Sequence, residues 1–582
     1  MMSLFSSASP GHRQFDDGKE NVLAQLTCRA LDEAAEARTT ANHPAFPPET
    51  PASSCHRPFG IEAGLTKRYS FCERCRKRRF RLRANTAVAY VVGMAALLFS
   101  TSCPAQSVPP VPRVWDDKDM RALELPLAAR IPVHHMPSEY YYRIPVRPNL
   151  KTYPIYVPGK EPKGYWAWLQ KQEPKPAFNG AALRTKEDWI KAGKLVFEAP
   201  KDFNSVDDPF TDVRNPRWYE FTGIRGDKNG IVPYYRYVIR KKGEVEVNLD
   251  SCAECHSRLM PDGTVVNGAQ GNVPFGRVWA YFLSRSKDIP QTKSAAGISR
   301  HFFGAPWIQP DPTAPLSEKT IADFATHLAT IPPGVNPRQG TSAMFPTQIP
   351  DLIGVQDRLY LDHTGLQQHR SIVDLMRYDA INNFIEEVTD YDGFRPLSGP
   401  KGKLPDIHEL ARESDSELYA LALYIYSLKP PPNPNRFDAL AANGKKVFER
   451  EGCGVCHTPP LYTNNRITPA LGFKVPAEDR AKYRILDFHV GTDPFLATKT
   501  RRGTGYYKVP SLKGVWYRGP FEHNGSVATL EDWFDPRRLQ DDYVPTGYLG
   551  YGVQTRAIKG HKFGLKLTPG EKAALIAFLK TL

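Results

Sequence analysis

The pattern Cys-x-x-Cys-His occurs twice in this chain, as CAECH at residues 252–256 and as CGVCH at residues 453–457. With 9 Cys and 15 His among 582 residues, chance predicts far fewer than one copy. The pattern is typical of c-type haem attachment, in which two thiols bond to the porphyrin and the adjacent imidazole binds its iron. A disulfide, a redox pair or a four-thiol zinc cluster would leave the histidines unexplained. We therefore predict two covalently bound haem c groups, attached at Cys252, Cys255, Cys453 and Cys456.

The second haem has few candidates for its other iron ligand. His457 is the predicted proximal ligand of haem 2, and no methionine lies beyond Met376 to complete the coordination. His561 stands just before the C-terminal helical stretch, where cytochrome c domains commonly supply the distal ligand. We predict His561 as that ligand, with His489 and His523 at the surface or the haem edge.

The sixth coordination position of haem 1, whose predicted proximal ligand is His256, decides between two functions. His408 stands at the equivalent place before the first helical stretch and is the rival distal ligand. If His408 binds, both irons are closed by two histidines, which suits an electron carrier. If it faces solvent, haem 1 can meet dioxygen or peroxide. A lone histidine in PDIHEL is typical of a protein surface, so we predict an open haem 1.

A gapless repeat indicates how these motifs are positioned. IPDLIGVQDRLYLDHTG (349–365) and VPSLKGVWYRGPFEHNG (509–525) share Pro-x-Leu-x-Gly-Val-x7-His-x-Gly. Each copy follows a haem motif and precedes a helical stretch with an apolar face, at 416–429 and 570–582. AGKLVF (192–197) also resembles NGKKVF, which leads into the second motif. Two tandem cytochrome c-like domains are the simplest organisation.

We therefore predict a mainly α fold with two cytochrome c-like haem domains, irregular loops, a small β-hairpin and a Pro/Tyr-rich N-terminal arm. The hairpin lies in YYRYVIRKKGEVEVNL, with its turn at residues 241–243. The predicted boundaries are 1–105 for a disordered extension with a secretory signal, 106–185 for the arm, 186–429 for domain 1, 430–435 for a Pro-rich linker and 436–582 for domain 2.

An export signal is predicted from AVAYVVGMAALLF (87–99), an apolar run that follows basic residues and precedes Ala105 at a small-residue cleavage position. The run is short for a membrane span, and an uncleaved membrane anchor is the alternative. Because such signals begin a chain, we expect translation to start near Leu82. We predict a periplasmic or secreted protein.

The net charge is +15. Beyond the leader the basic residues are scattered, without the aromatic-basic stripe of a nucleic-acid site, so we predict no nucleic-acid partner. An acidic redox partner protein or a polar membrane surface fits this charge.

PSLKGV (510–515) and EHNGSVATLE (522–531), together with the two haem motifs, resemble the bacterial dihaem cytochrome c peroxidase superfamily. The wide separation of the motifs and the segments 251–277 and 357–380 look most similar to the rubber oxygenase group. The resemblance covers roughly residues 180–582. It implies an oxidoreductase in which haem 1 activates O₂ or H₂O₂ and haem 2 relays electrons. Some members hold Ca²⁺ between the domains, which adds Ca²⁺ as a candidate ion.

Two departures from the superfamily bear on its chemistry. Residues 360–363 read Tyr-Leu-Asp-His where peroxidases have Phe-Trp-Asp-Gly, so the tryptophan between the haems is missing from its slot. The distal Gln and Glu of the peroxidases, which move protons, fall near Leu375 and Ile385. A slip of one residue would restore a carboxylate at Glu386 or Glu387.

An apolar distal pocket would suit dioxygen and a hydrophobic substrate, although the same side chains could form a helical core face. Trp307 and Trp516 are candidate aromatic residues near the haems. The candidate distal residues are Leu361, His363, Leu375, Met376 and Tyr378.

Three functions are compatible with these residues. We favour an oxygenase or peroxidase-like enzyme. The alternatives are a non-catalytic electron-transfer cytochrome with two bis-His haems and a maturation enzyme that oxidises a partner protein.

Overall fold

The computed structural model describes residues 110–582, except residues 288, 317, 338–340, 385, 397–398, 401–403 and 409. The predictions on the leader, namely the apolar run 87–99, cleavage after Ala105 and the start near Leu82, lie outside the described residues. None of the helices described has the length and apolar character that a membrane crossing requires.

Helices form much of the scaffold around the two haem motifs. The described residues form sixteen α-helices: α1 Asp117–Arg121, α2 Ser138–Arg143, α3 Tyr165–Leu169, α4 Lys186–Glu198, α5 Pro216–Thr222, α6 Cys252–His256, α7 Phe275–Arg285, α8 Ala296–Phe303, α9 Ile321–Ala329, α10 Ile372–Asn383, α11 Asp415–Ser427, α12 Ala439–Arg450, α13 Ala477–Lys482, α14 Phe495–Thr498, α15 Leu530–Trp533 and α16 Pro569–Lys580.

The strands are short and form two four-stranded sheets, β1-β12-β13-β14 and β2-β4-β5-β3, and four two-stranded ladders of β6-β7, β8-β9, β10-β11 and β15-β16. Their bounds are β1 Val133–His135, β2 Thr152–Tyr156, β3 Asp202–Ser205, β4 Ile231–Lys241, β5 Glu244–Leu249, β6 Ser257–Leu259, β7 Val265–Asn267, β8 Val335–Asn336, β9 Thr347–Gln348, β10 Tyr360–Leu361, β11 Gln367–Gln368, β12 Thr389–Tyr391, β13 Phe394–Arg395, β14 Gly399–Pro400, β15 Ile467–Pro469 and β16 Tyr506–Lys508.

The fold mixes helices with small sheets, since 32% of the structure is helical and 14% is in strands. This is less helical than the mainly α prediction implied. The predicted β-hairpin is confirmed as β4 and β5, which pair antiparallel around Lys242 and Gly243. The predicted arm supplies two further strands, because β1 pairs with β12 and β2 pairs with β4. All described residues fall in one compact unit, and the division into two haem domains stays a prediction.

Two helix crossings have the same close contact. α4 packs on α11, and α12 packs on α16. A Cβ added to Gly193 would lie 1.9 Å from the carbonyl oxygen of Ala420, and one added to Gly444 would lie 1.8 Å from that of Ala574. Only glycine fits at such distances. The likeness of AGKLVF to NGKKVF therefore reflects one helix crossing used twice.

The two copies of the sequence repeat contact each other through their backbones. The N–H of Gln348 donates to the carbonyl of His523 at 2.8 Å, and the N–H of Lys508 donates to the carbonyl of His363 at 2.9 Å. Each donor lies two residues before the proline of its own copy, and each acceptor is the repeat histidine of the other copy. The repeat therefore builds an approximately symmetric junction between the two haem motifs.

Candidate haem sites

The first haem motif forms the short helix α6. Ser251 caps this helix by accepting the N–H of Glu254 with its hydroxyl. Nδ1 of His256 donates to the carbonyl oxygen of Pro350 at 3.0 Å, which fixes the ring and leaves Nε2 as the nitrogen with a lone pair. Metal-binding histidines are commonly oriented by such a backbone bond. Pro350 is the first residue of the repeat pattern, so the repeat orients the ring of His256.

The second motif is held in the same way. Cys453 begins a 3₁₀ turn after Gly452, whose positive φ of 70° favours glycine. Nδ1 of His457 lies 3.1 Å from the carbonyl oxygen of Pro510 and 3.2 Å from that of Tyr462. Burial lowers the pKa of His457, which keeps the imidazole neutral and able to bind a metal.

A cavity of about 440 Å³, cavity 2, surrounds Cys453, Cys456 and His457. His561 lines the same cavity, and its ring centre lies 6.3 Å from that of His457. Two imidazoles that bind one metal from opposite sides need ring centres about 6 Å apart, because each metal–nitrogen bond is about 2 Å long. These residues therefore fit a haem c with two axial histidines.

His561 is held firmly in an uncommon conformation. Its φ is +34°, a value rare outside glycine and often found at functional sites. Its N–H donates to the carbonyl of Val490 at 2.8 Å, and Arg538 donates to its carbonyl oxygen at 2.6 Å. Burial lowers the pKa of His561 to about 4, with further contributions from His457 and Arg538. The ring is therefore neutral at pH 7 and suited to a metal.

The other two histidines of this half are poorly placed to bind iron. His489 is exposed and does not line cavity 2. His523 does line the cavity, but Glu522 lies 3.0 Å from its Nδ1 and Asp493 lies 3.5 Å from its Nε2. Although burial opposes its charge, Asp493 and Glu522 raise the pKa of His523. A protonated ring between two carboxylates has no lone pair for a metal.

Cavity 2 is also rich in half-buried cations. Arg358, Lys508 and Arg518 all line it, whereas Asp351 is the carboxylate beside them. Burial lowers the pKa of Lys508 to about 7, and Arg358 adds to this effect. Nε of Arg518 is buried without a hydrogen-bond partner among the described residues. An excess of positive charge in a partly enclosed cavity favours a bound anion. The two propionate carboxylates of a haem would supply it.

A larger cavity of about 970 Å³, cavity 1, surrounds Cys252, Cys255 and His256. Among the described residues, the histidines that line it are His256 and His363, and no methionine lines either cavity. Nε2 of His363 is within 2.7 Å of the carbonyl of Gln348, to which it donates. His363 lines both cavities, as does Pro350, so these two residues form the wall between them.

The structure divides the candidate distal residues of haem 1 into two groups. His363, Leu375 and Tyr378 line cavity 1. Leu361 and Met376 do not: they are 5% and 1% exposed and pack in the hydrophobic core. Met376 follows Leu375 on α10, and a step of one residue turns its side chain away from the cavity. Leu361 and Met376 therefore fit the alternative of a core face, and the distal pocket stays a prediction for Leu375 and Tyr378.

Three further sequence candidates lie outside both cavities. His408 is exposed, and its N–H donates to Asp406 at 2.9 Å. Trp307 stacks on Tyr391 with ring centres 5.4 Å apart. Trp516 packs edge-on against Tyr517.

One part of cavity 1 went unpredicted. Six aromatic side chains from α7, α8 and a 3₁₀ turn extend the cavity into an apolar chamber, which we call the annex. Trp279 is at its centre, with the rings of Phe210, Phe282 and Phe302 at 5.3, 5.9 and 5.8 Å. The cluster of aromatic residues in FGRVWAYF was the available signal. The annex residues are Phe210, Phe275, Trp279, Phe282, Phe302 and Phe303.

The carboxylates near the expected distal Glu differ in their surroundings. Ile385 lies outside the described residues. Glu386 is buried and bound by Arg501 at 2.8 Å and Arg502 at 3.3 Å, whereas Glu387 lines cavity 1. Tyr378 donates to Asp362 at 2.5 Å, so its hydroxyl is already engaged. Within the described ranges no group of three or more His, Cys, Asp or Glu residues could hold a metal ion, so the candidate Ca²⁺ gains no support.

The sequence has distant curated relatives, and no protein-family model matches it. Cytochrome-c peroxidase IdrP1 of Denitromonas iodatirespirans is 28% identical over 165 residues, covering 25% of this chain and 40% of that protein. IdrP1 of Pseudomonas sp. (strain SCT) is 24% identical over 168 residues, covering 25% and 41%. The uncharacterized protein y4iJ of Sinorhizobium fredii is 36% identical over 107 residues, covering 13% and 18%. The chain thus spans about two fifths of the cytochrome-c peroxidases it matches.

Solved structures give weaker likenesses. Kuenenia stuttgartiensis hydrazine synthase is 16% identical with a TM-score of 0.25, covering 50% of this chain and 89% of that chain. A MauG-like protein associated with microbial copper homeostasis is 20% identical with a TM-score of 0.20, covering 29% and 56%. Scores this low carry no argument. The sequence comparisons show a distant relationship to cytochrome-c peroxidases.

Proposed function

We propose that the protein is an exported, periplasmic or secreted dihaem c-type oxidoreductase, peroxidase-like or rubber-oxygenase-like. In this proposal cavity 1 holds the reactive haem, and cavity 2 holds a haem that relays electrons to it from a redox partner protein. The observation that carries the proposal is the contrast between the cavities. Cavity 2 has two imidazoles 6.3 Å apart, whereas cavity 1 pairs one well-placed histidine with a much larger space.

Each predicted attachment residue has a defined role. Cys252 and Cys255 would hold haem 1 and His256 its iron, while Cys453 and Cys456 would hold haem 2 and His457 and His561 its iron. An iron with a free face supplies the binding and reduction of dioxygen or peroxide. The exposed position of His408 favours this enzyme over the bis-His electron carrier.

The side chains of cavity 1 would prepare it for such a ligand. Leu375 and the annex exclude water and favour apolar molecules, so a hydrophobic substrate could lie beside the bound oxidant. Glu387 is the carboxylate in the region where a peroxidase has its distal acid, and it could move a proton. His363 and Pro350 line both cavities, whereas Leu361, which takes the place of the superfamily's tryptophan, packs in the core.

Ligand binding to the purified holoprotein tests the proposal. We expect one high-spin and one low-spin ferric haem, with cyanide binding to one haem of the two. His408→Ala should leave this spectrum unchanged. Two low-spin haems that ignore cyanide would support the electron carrier instead.

The annex can be tested separately with a small aromatic probe such as naphthalene. Trp279→Ala should weaken its binding by about tenfold, because roughly 1.4 kcal/mol of apolar contact is removed. The perturbation of the haem 1 spectrum reports the binding. Trp168→Ala is the matched control, since Trp168 is 45% exposed and lies outside cavity 1. Equal affinities of the two variants would contradict the role of the annex.

A further inference from the structure

A buried ionic cluster lies at the edge of cavity 1, beside the attachment cysteine Cys252. Nζ of Lys201 lies 2.9 Å from Asp379 and 3.6 Å from Glu413. Asn383 joins them, since it accepts from Lys201 and donates to Glu413. The side chains of Lys201 and Glu413 are only 9% and 5% exposed. Sγ of Cys252 lies 3.9 Å from Asp379, so the cluster meets the edge where the haem would be attached.

The members of the cluster differ in their access to the cavity. Lys201, Asp379 and Asn383 line cavity 1, whereas Glu413 lies behind them. Glu413 and Asp379 share their donors, because the amide of Asn383 donates to both and Nζ of Lys201 lies beside both. Two carboxyl groups that share these donors in a buried site are more stable with one proton between them than with two negative charges. The pair therefore holds a proton at the cavity wall.

The charges around the pair lead to the same conclusion. Arg147 is the other cation that faces it, and Glu417 lies beyond Arg147, held by Asn149 and Ser414. Asp202 and Asp250 are two further carboxylates near Arg147. Two cations therefore face four nearby carboxylates in a buried site, which cannot all be ionised at modest cost. The four carboxylates are Asp202, Asp250, Asp379 and Glu413.

Burial is the main cause of the shifted pKa values here. It raises the pKa of Glu413 to about 7; Lys201 opposes this rise and Asp379 adds to it. Burial also raises the pKa of Asp250. Although burial opposes the charge of Lys201, Asp379 and Glu413 raise its pKa, so Lys201 stays an ammonium ion.

We propose that Glu413 and Asp379, bridged by Lys201 and Asn383, form a proton-loading site that delivers protons to a ligand bound in cavity 1. This inference rests on the proposed function. Reduction of peroxide to two waters consumes two electrons and two protons. A one-electron donor protein supplies the electrons through cavity 2. Glu413 passes its proton through Asp379 to the ligand, becomes a carboxylate and is reprotonated from solvent before the second transfer.

A redox titration of haem 1 over about pH 5 to pH 9 tests this site without turnover. Below pH 7 Glu413 already holds its proton, so the midpoint potential should be flat. Above pH 7 reduction should draw a proton onto Glu413, and each tenfold fall in proton concentration should lower the potential by up to about 59 mV. Glu413→Gln should abolish this slope, and Asp379→Asn should weaken it.

Asp479→Asn is the matched control. Asp479 is also buried, but Arg130 and Tyr506 hold it away from cavity 1, so the wild-type slope should remain. Covalent haem content checks that each variant folds. If Glu413→Gln keeps the slope, or the wild type has none, the proton-loading site is wrong. Failure of haem 1 to bind cyanide would instead overturn the proposed function, whatever the slope.

Discussion

The two cavities are built around the same three features, but the other residues that line them differ. Each has a Cys-x-x-Cys-His motif, a proximal histidine bonded to a repeat proline, and a glycine at the crossing of two helices. In cavity 2 a second imidazole, His561, faces the first. Cavity 1 is larger, and its lining includes the aromatic annex. The two motifs therefore share one scaffold, and under the proposed function the rest of each cavity would decide what its haem does.

The charged residues that line the two cavities also differ. Cations outnumber acids around cavity 2, whereas acids outnumber cations around cavity 1. Under the two proposals, the cations of cavity 2 would compensate the haem propionates, and the acids of cavity 1 would hold protons for the reaction. The charged residues that line cavity 2 are Arg358, Arg466, Lys508, Arg518, Asp351 and Glu522, and those of cavity 1 are Arg147, Lys201, Arg240, Arg502, Asp202, Asp250, Asp362, Asp379 and Glu387.

The largest expected effect comes from removing one pair of attachment thiols at a time. Replacing Cys453 and Cys456 by Ser should remove one covalent haem but leave cyanide binding at the other. Replacing Cys252 and Cys255 should also remove one haem, and with it the cyanide site. Intact mass and cyanide titration measure both results. Loss of cyanide binding in the first variant alone would reverse the assigned roles of the cavities.

A second change should make cavity 2 resemble cavity 1. His561→Ala removes the distal imidazole, so haem 2 should become high-spin and the protein should bind a second cyanide. Optical and paramagnetic resonance spectra measure the change. His523→Ala is the matched control, because His523 lines the same cavity but is held between two carboxylates. A second cyanide site in His523→Ala, and none in His561→Ala, would exchange their roles.

The feature that both halves share, a glycine at the crossing of two helices, can be tested by substitution. Gly193→Ala and Gly444→Ala would each place a methyl group within 2 Å of a backbone oxygen. Each should lower the free energy of unfolding by about 1–3 kcal/mol or more. Gly570→Ala is the control, since nothing lies within 4 Å of its added Cβ and helix propensity should stabilise it slightly. Denaturant unfolding measures all three, and a neutral Gly193→Ala would show that the crossings differ.

The smallest expected effect concerns an exposed ion pair between α12 and α16. Arg450 bonds Glu571 at 2.5 Å and, with the N–H of Thr568, lowers the pKa of Glu571 to about 2. A depressed carboxyl pKa stabilises the fold above the ordinary value of 4.5, and this contribution is lost as the pH falls through about 2. Glu571→Gln should therefore lower the melting temperature slightly at pH 7 and not at pH 2. An equal decrease at both pH values would assign the effect to lost capping instead.

Sequence reasoning reached the parts of the site that are local in the chain. These parts are patterns of contiguous residues: the two haem motifs, the two repeat copies, and the glycine-containing helices α4 and α12. Their contacts follow from short spacings in the chain. The annex of cavity 1 includes Phe210, Trp279 and Phe302, which lie on separate elements. Spacing could not show that Met376 turns into the core while its neighbour Leu375 lines the cavity. Nor could it show that Lys201 meets Glu413, more than two hundred positions away.

The reciprocal backbone bonds of the repeat place a limit on how this protein can change. The carbonyl of His363 accepts a hydrogen bond from the N–H of Lys508, and the carbonyl of His523 accepts one from the N–H of Gln348. Inserting one residue between Pro350 and His363 would shift that carbonyl and leave a donor unmatched in the other half. An insertion or deletion in one copy therefore breaks a hydrogen bond made by the other copy, so the two copies must keep a common length.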